Sequence, residues 1–377
     1  MSKEIRLGTA VSQPGTIQYG QWDGIVHPTG HSDWLPVIIA QGKQDGPCIW
    51  LTTGIHGPEH AGPAVLYQLI TQELVDQLAG TIVAIPALSP AGIRTKSYVP
   101  YHVDTNPNRL WPDGRPKKEP DPEKTGLSSV EEAFARLFEP LLATADFLID
   151  YHNAQIGSIS FVFRDRVLYR TDVGDTEANK AEAEALSAKM DGMIAAYGHS
   201  VVNEYAVDRY IKNDLHRSTS GAALQLARIP SMTLELGTGL MPDPAIVNAS
   251  AAGTRNVLRW AGMLPGEIEP ITGITVVQPG YQARRTLQAK SPGACVVLHV
   301  AQPGDVVQKG DVLAELRDVW GRPFGEGVVR AEADGFVVGR SHGIYFYPGQ
   351  TLFTLAIRDD APLVAPYPDD YFKTGEG

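Results

Sequence analysis

Short apolar runs separated by amphipathic stretches predict a layered α/β fold for most of the chain. Four runs have the length and composition of strands buried inside a sheet: 47–54 (PCIWLTTG), 81–88 (TIVAIPAL), 145–152 (ADFLIDYH) and 231–237 (SMTLELG). Between the first two runs, apolar residues recur near a 3.6-residue period over 61–80, which predicts an amphipathic helix. Strand-like and helix-like segments alternate in this way from about residue 36 to 262, so we expect a sheet covered by helices.

Residues at element boundaries add detail to this prediction. Asp243 is a suitable N-cap, and Pro244 suits the first turn of the helix that follows. The alanine- and charge-rich segment 177–198 predicts a surface helix, whereas Pro140 should kink or end an earlier one. Segment 203–223 mixes aromatic and charged residues without a period, as expected of a loop that covers a site.

The pattern changes near residue 264. A linker rich in Pro and Gly (LPGEIEPITG) is followed by short Val-rich runs that Gly residues interrupt at close spacing. This pattern predicts a small all-β unit. We therefore expect a first domain at 1–264 with an N-terminal extension at 1–35, a β-rich domain at 274–360 and an irregular tail at 361–377.

Composition and charge exclude several classes of partner. The chain has 377 residues, more than one hydrophobic core usually organises, and 43% of them are hydrophobic. Its net charge of −11 argues against a surface that binds phosphates, so nucleic acid is not an expected partner. Neither a signal-peptide core nor an apolar run of about 20 residues is present, so we expect a cytoplasmic protein without a membrane partner.

The cysteine count restricts the metal chemistry. Only Cys48 and Cys295 are present, and both have apolar neighbours that indicate buried thiols. A disulfide framework or a zinc site built from cysteines is thereby excluded. Any metal ion must be held by histidines and carboxylates.

Three residues have the setting of a metal site. His56 and Glu59 follow a buried strand, where Gly and Pro residues force a turn, and His152 ends another apolar strand. Ligand sites in α/β sheets collect beyond the carboxyl ends of the strands, so the three side chains should meet. Asp150 would face the same side as His152 and could orient it. The alternative is that His56 and Glu59 form a solvated polar turn.

Glu235 is a candidate general base. It is a lone carboxylate inside an apolar strand, and a buried glutamate is costly unless it is paired or functional. Partial burial would raise its pKa into the range that suits proton transfer. The alternative is a glutamate on the solvent side of an edge strand.

Asn108 and Arg109 form a candidate carboxylate-binding pair. They lie in TNPNRLWPDG, where Pro and Gly indicate a fixed loop. A guanidinium offers a planar fork that matches a carboxylate. A surface salt bridge is the alternative explanation for the arginine.

Taken in order, GIHGPEHAG, NPNRLWP, DYHNA and TLELG resemble the succinylglutamate desuccinylase/aspartoacylase family of zinc carboxypeptidase-like hydrolases. The resemblance implies a mixed sheet flanked by helices, with a small barrel-sandwich-like domain after it. It also implies one Zn²⁺ per chain bound by His56, Glu59 and His152, with Glu235 as the base that activates water. Asn108 and Arg109 match the pair that grips a carboxylate of the substrate.

The resemblance implies hydrolysis of a small N-acyl amino acid or a related amide, a C–N bond other than a peptide bond. Alternatives are a zinc carboxypeptidase that acts on peptide C-termini and a ligand-binding relative without activity. Related hydrolases often form homo-oligomers, so a second copy of the chain is a further partner that the resemblance allows.

The chain departs from the family pattern near the substrate. Asn106 and Pro107 stand where the family commonly has Asp and Leu. In the family an upstream arginine often holds the carbonyl oxygen, and here Arg94 or Lys96 lies near that place, so Arg94 is assigned to substrate binding. The β-rich domain resembles biotinyl and lipoyl domains but has no lysine between Lys309 and Lys373, so we expect a cap over the entrance and not a carrier arm.

Overall fold

The computed structural model describes residues 4–115, 129–154 and 156–373. The first three residues of the predicted N-terminal extension and the last four of the predicted tail lie outside these ranges. The described α-helices are α1 (Ala61–Leu69), α2 (Gln72–Gln77), α3 (Pro90–Thr95), α4 (Ser129–Thr144), α5 (Thr176–Tyr197), α6 (Val207–Lys212), α7 (Thr219–Gln225) and α8 (Pro244–Trp260). None of them combines the length and apolar character that a bilayer span requires.

The strands fall into two groups along the chain. The first group is β1 (Arg6–Leu7), β2 (Ala10–Val11), β3 (Thr16–Val26), β4 (Ser32–Gln41), β5 (Gln44–Thr53), β6 (Ala79–Ile85), β7 (Phe147–Ala154), β8 (Gly157–Ser158), β9 (Ser160–Arg164), β10 (Val167–Tyr169), β11 (Ser200–Asn203) and β12 (Ser231–Thr238). The second group is β13 (Ala283–Lys290), β14 (Cys295–His299), β15 (Val306–Val307), β16 (Val312–Arg317), β17 (Pro323–Arg330), β18 (Gly335–Arg340), β19 (Tyr345–Phe346), β20 (Thr351–Arg358) and β21 (Val364–Pro366).

A large mixed sheet organises the molecule. Its strand order from one edge is β3-β4-β6-β5-β7-β12-β9-β11, and it continues through β13-β20-β18-β15. The neighbours β6, β5, β7 and β12 are parallel, whereas β4 runs antiparallel to β6 and β9 runs antiparallel to β12. The carboxyl ends of β5, β7 and β12 therefore lie at one edge of the sheet, side by side.

Helices cover both faces of the sheet, because side chains alternate along each strand. On one face, Ile49 and Leu51 of β5 belong to a buried cluster with residues of α1, α5 and α8. On the other face, Trp50 packs in a second cluster with residues of α4 and α7. The predicted mixed sheet flanked by helices is confirmed.

Several predicted elements agree with the structure, and others need correction. The Asp243 side chain accepts a hydrogen bond from the Ala245 amide and so caps α8 as predicted. The single helix predicted over 61–80 is instead α1 and α2, because Thr71 caps a new helix by accepting a bond from the Leu74 amide. Pro140 lies inside α4 and does not end it. It is only half buried, so the carbonyl one turn earlier, which loses its amide partner, can reach water.

The loop predicted at 203–223 is also wrong. This segment contains α6, most of α7 and a short 3₁₀ helix at Leu215–Arg217. Its buried apolar positions, Tyr205, Tyr210 and Leu215, pack against Tyr367 and Tyr371 of the C-terminal tail. The period is hidden because each helix is short and its partners come from a distant part of the chain.

The second group of strands continues the large sheet. Strand β13 pairs in parallel with β11 at Arg284 and Asn203, and in antiparallel fashion with β20. A separate sheet, β17-β16-β14-β19, completes the all-β region around its own apolar cluster. The expected irregular tail is corrected at β21, which pairs in parallel with β10 because apolar residues on both strands are buried there. The domain boundary near residue 264 stays a prediction.

A buried arginine holds the two groups of strands together. The Arg166 side chain is fully buried, and its guanidinium binds both carboxylate oxygens of Asp359, which follows β20. It also donates to the carbonyl oxygens of Glu204 and Tyr205 and to those of Ala361 and Pro362. One side chain thus binds polar groups of two segments, 204–205 and 359–362, that are far apart in the sequence.

We expect Arg166→Met to lower the free energy of unfolding by about 3–5 kcal/mol, because it removes the buried cation at 2.8 Å from Asp359 and leaves Arg284, at 3.9 Å, as the nearest one. Chemical denaturation followed by fluorescence measures this change. Arg322→Met is the matched control, since that guanidinium is largely exposed and its loss should leave the stability nearly unchanged. Equal stability of the two variants would show that the buried pair does not hold the fold.

Candidate metal centre and active site

A tight turn between β5 and α1 positions His56 and Glu59. The turn begins at Gly54, whose φ of +68° is unfavourable for other residues. Gly57 lies so close to another loop that a Cβ there would approach the Gly92 carbonyl oxygen to 2.0 Å. Asn153 accepts a hydrogen bond from the Ala61 amide at the start of α1, which ties the turn to β7.

The Glu59 carboxylate bridges two histidines. Its Oε1 lies 2.8 Å from His56 Nδ1, and its Oε2 lies 2.8 Å from His152 Nδ1. One ligand atom from each of the three residues lies within 4.8 Å of the other two, and all three residues are buried. The alternative of a solvated polar turn is wrong, because these side chains are shielded from water and meet as a ligand set.

Hydrogen bonds at the other ring nitrogens favour a cation between these groups. His152 Nε2 lies 2.8 Å from Asp150 Oδ2, and His56 Nε2 lies 2.9 Å from Asn106 Oδ1. The same Asn106 oxygen accepts a hydrogen bond from the backbone N–H of Asn108. It therefore acts as an acceptor, and the His56 imidazole donates. Neutral imidazoles would then aim both Nδ1 lone pairs at the bridging carboxylate. A proton or a metal ion relieves that repulsion, and the donor set suits a metal such as zinc.

The electrostatics of the cluster lead to the same conclusion. Burial alone would raise the pKa of Glu59, but the two histidines lower it to about 2. Burial would lower the pKa of His152, whereas Asp150 and Glu59 raise it well above its ordinary value. The cluster therefore keeps its carboxylate ionised and favours positive charge beside it. It can hold a metal ion.

Glu235 lies on β12 directly beside His152 on β7. Strand β12 is paired on both sides, so the alternative of an edge strand is wrong. The Oε2 atom of Glu235 is buried and has no hydrogen-bond partner among the described residues. Burial raises the pKa of this carboxyl to about 8, with Glu59 adding to the effect and His152 opposing it. Glu235 thus combines a free oxygen with a pKa suited to proton transfer.

Asn108 and Arg109 sit in a 3₁₀ helix, Pro107–Arg109, that is anchored on both sides. The side-chain nitrogen of Asn108, Nδ2, lies 3.3 Å from His152 Nε2. The side-chain oxygen of Asn108 accepts two hydrogen bonds from Thr219. The Arg109 guanidinium donates to the Asn213 and Asn108 carbonyl oxygens. Among the described residues it forms no ion pair, which argues against the alternative of a surface salt bridge. Burial lowers the pKa of Arg109.

The structure does not bring Arg94 to this site, so its assignment to substrate binding is wrong. Helix α3 directs the Arg94 side chain towards β4, where it pairs with Asp33 at 2.5 Å. The guanidinium is about half exposed, and it lines a different surface depression. Lys96, the other residue considered for this role, also lies outside the pocket.

The cluster opens into a pocket of about 150 Å³. Its lining includes the three candidate metal ligands, Glu235, Asn108 and Arg109. Residues that sequence reasoning missed also line it: Tyr98, Phe163, Asp165, Glu204, Ser218, Ser220, Thr233 and Arg285. Tyr98 stacks on the His56 ring with 3.8 Å between ring centroids. Three of them, Glu204, Ser218 and Ser220, come from the segment without a clear period, and Arg285 comes from β13.

A comparison with family models gives a match at residues 45–261, to the succinylglutamate desuccinylase/aspartoacylase catalytic domain. This match includes the candidate metal ligands and Glu235, and it ends before β13. Among curated proteins, none matches the sequence.

Solved structures resemble the fold over most of the chain. A succinylglutamate desuccinylase/aspartoacylase from Rhodobacter sphaeroides has a TM-score of 0.66 at 18% identity, covering 91% of this chain and 96% of its own. An aspartoacylase family protein from Mesorhizobium loti has a TM-score of 0.67 at 18% identity, with 92% and 96% covered. The product-bound ectoine utilization protein EutE (DoeB) from Ruegeria pomeroyi has a TM-score of 0.64 at 21% identity, with 91% and 95% covered. At these identities the likeness shows a shared fold.

We expect Asp150→Asn to weaken metal binding by about 10–100-fold, because it removes the carboxylate that orients and polarises His152. Competition with a chromophoric chelator measures the affinity. Asp172→Asn, on the surface beside Arg170, is the matched control and should bind metal as the wild type does. Unchanged affinity in Asp150→Asn would show that His152 is not a ligand or that Asp150 does not support it.

Proposed function

The chain belongs to the succinylglutamate desuccinylase/aspartoacylase family, and we propose that it is a zinc-dependent amidohydrolase. Its proposed substrate is a small N-acyl amino acid or a related amide, cleaved at a C–N bond other than a peptide bond. The observation that carries this proposal is the meeting, in one pocket, of the buried His–Glu–His cluster with Glu235 Oε2 and the Arg109 guanidinium, which have no hydrogen-bonding and no ionic partner, respectively, in the part of the chain that the structure describes.

His56, Glu59 and His152 are the proposed ligands of one Zn²⁺ per chain. Two imidazole nitrogens and one carboxylate form the ligand set that catalytic zinc sites commonly use, with a further position left for water or substrate. When bound, zinc supplies Lewis-acid chemistry, which polarises a carbonyl group and lowers the pKa of water. Asp150 and Asn106 hold the two imidazole rings in the orientation that directs their Nδ1 atoms inward.

Glu235 is the proposed general base. Its unpaired Oε2 can accept a proton from the attacking water, and its raised pKa allows the carboxyl to hold that proton. The same oxygen can then donate the proton to the leaving amine as the C–N bond breaks. A ligand-binding protein would have no use for a buried carboxylate left without a partner, so this feature favours the enzyme.

Asn108 and Arg109 are the proposed site for a carboxylate of the substrate. Arg109 is a half-buried cation that forms no ion pair with a described carboxylate, so an anionic ligand would compensate its charge. The bonds from Arg109 to the Asn213 and Asn108 carbonyl oxygens fix the guanidinium before substrate arrives. A carboxypeptidase would use a similar clamp, but a pocket of about 150 Å³ suits a small amide better than a peptide chain.

We expect Glu235→Gln to lower kcat by at least about 10²-fold while one zinc ion per chain stays bound. Metal analysis and an assay over parallel panels of N-acyl amino acids and short peptides measure both properties. His152→Ala is the contrasting variant, because it should lose the bound metal together with the activity. An intact rate in Glu235→Gln would overturn the assignment of the base, and preference for peptides would favour the carboxypeptidase.

We expect Arg109→Ala to raise KM by roughly 10-fold or more, because it removes a charge-assisted contact with the substrate carboxylate. Steady-state kinetics with the best N-acyl amino acid and with its carboxamide separate this contact from general damage. The KM for the carboxamide should change little in Arg109→Ala, since this substrate has no carboxylate for Arg109 to bind. If both rate and KM are unchanged with the acid, Arg109 is not part of the clamp.

A further inference from the structure

Three charged residues form a continuous part of the pocket lining, which we call the acidic wall: Asp165, Glu204 and Arg285. Asp165 directly follows β9, Glu204 directly follows β11, and Arg285 belongs to β13. These three strands are neighbours in the large sheet, with β11 between the other two, so their ends bring the three side chains together. None of the three is among the proposed zinc ligands or the carboxylate clamp.

The arginine of the acidic wall is already neutralised. Arg285 Nη2 lies 2.9 Å from Glu204 Oε2, and only about a fifth of the arginine side chain is exposed. Its guanidinium stacks over the rings of Tyr205 and Phe163, at 4.3 and 4.7 Å from their centroids. Arg285 Nε is buried and has no hydrogen-bond partner among the described residues, but a substrate carboxylate that reached it would lie beside the like charge of Glu204.

Asp165, in contrast, has no cationic partner among the described residues. The carboxylate is buried and accepts a hydrogen bond from the Ser220 hydroxyl at 3.1 Å. Burial and the charge of Glu204 together raise the pKa of Asp165 to about 7. A cation beside this group would therefore be stabilised when the carboxyl is ionised.

The charges of the acidic wall sum to −1, since two carboxylates face one guanidinium when both are ionised. Neutral oxygens lie next to it, because the hydroxyls of Ser220 and Thr233 are 2.7 Å apart and also line the pocket. An ammonium group carries three donors, and carboxylate and hydroxyl oxygens are suitable acceptors for them. The wall thus offers a site for a positively charged donor and repels an anion.

We propose that this enzyme acts on amides of basic amino acids, with the single carboxylate held by Arg109 and the basic side chain held by Asp165 and Glu204. This inference rests on the proposed function and adds the substrate class to it. Arg109 is the pocket's unpaired cation among the described residues, so the pocket accommodates one carboxylate and not two. Amides of aspartate or glutamate would place their second carboxylate against the acidic wall.

Side-chain charge can be varied at nearly constant size. We would compare kcat/KM for N-acetyl-L-ornithine, for its neutral near-isostere N-acetyl-L-norleucine and for N-acetyl-L-glutamate. The expected order is basic, then neutral, then acidic, with a preference of roughly tenfold or more for the basic amide over the neutral one. Equal rates for the basic and neutral amides, or a preference for the acidic one, would overturn the proposal.

Two variants act on opposite parts of the wall. Asp165→Asn should reduce the ratio of kcat/KM for the basic amide to kcat/KM for the neutral amide by about tenfold. Glu204→Gln should release Arg285 and raise the relative rate with the acidic amide. Asp172→Asn, on the surface, is the matched control and should keep the wild-type order. Circular dichroism checks that each variant is folded, and unchanged ratios of kcat/KM among the three amides in both wall variants would overturn the proposal.

A binding measurement separates this inference from the proposed function. Calorimetric titration of the zinc-loaded protein with free ornithine, norleucine and glutamate needs no turnover and does not depend on the acyl group. Preferential binding of ornithine without hydrolysis of any amide would overturn the proposed function and support the acidic wall. Hydrolysis without preference for ornithine, in binding or in rate, would overturn the inference alone.

Discussion

The alignment of three parallel strands is the constraint on which the rest of the site depends. Backbone hydrogen bonds hold β5, β7 and β12 side by side, so that His152 lies beside Glu235 and the turn after β5 faces both. A shift of one residue in either pairing would turn an inward side chain to the opposite face of the sheet. The packed helices on both faces oppose such a shift, because it would expose the apolar residues that they cover.

Much of this constraint could be predicted from the sequence, because its elements are local. His56, Glu59, His152 and Glu235 each lie within or directly after an apolar run, and the strand–helix alternation indicates which ends of the strands meet. Arg94 was misassigned because proximity in the chain does not determine which way a short helix faces. The acidic wall was missed for the opposite reason, since its residues become neighbours only through strand order.

The departure at Asn106 has a structural explanation. Where the family commonly has a carboxylate, the amide oxygen of Asn106 accepts a hydrogen bond from His56 Nε2 and another from the Asn108 backbone. An amide keeps the ring oriented without adding a negative charge to a pocket that already contains Glu59, Glu235, Asp165 and Glu204. The neutral residue therefore limits electrostatic repulsion inside the site while it retains the geometry.

The pairing of β13 with β11 has a consequence for how this molecule can change. The metal cluster and the base lie within the segment that defines the family, whereas Arg285 enters the pocket from a strand beyond it. One residue of the proposed acidic wall is thus encoded outside the stretch that contains the candidate metal ligands and the candidate base. If the proposed selectivity holds, substitutions in β13 would change which side chain is accepted without altering the proposed zinc ligands. A chain truncated at the end of the family segment would keep the proposed ligands but lose Arg285 from the acidic wall.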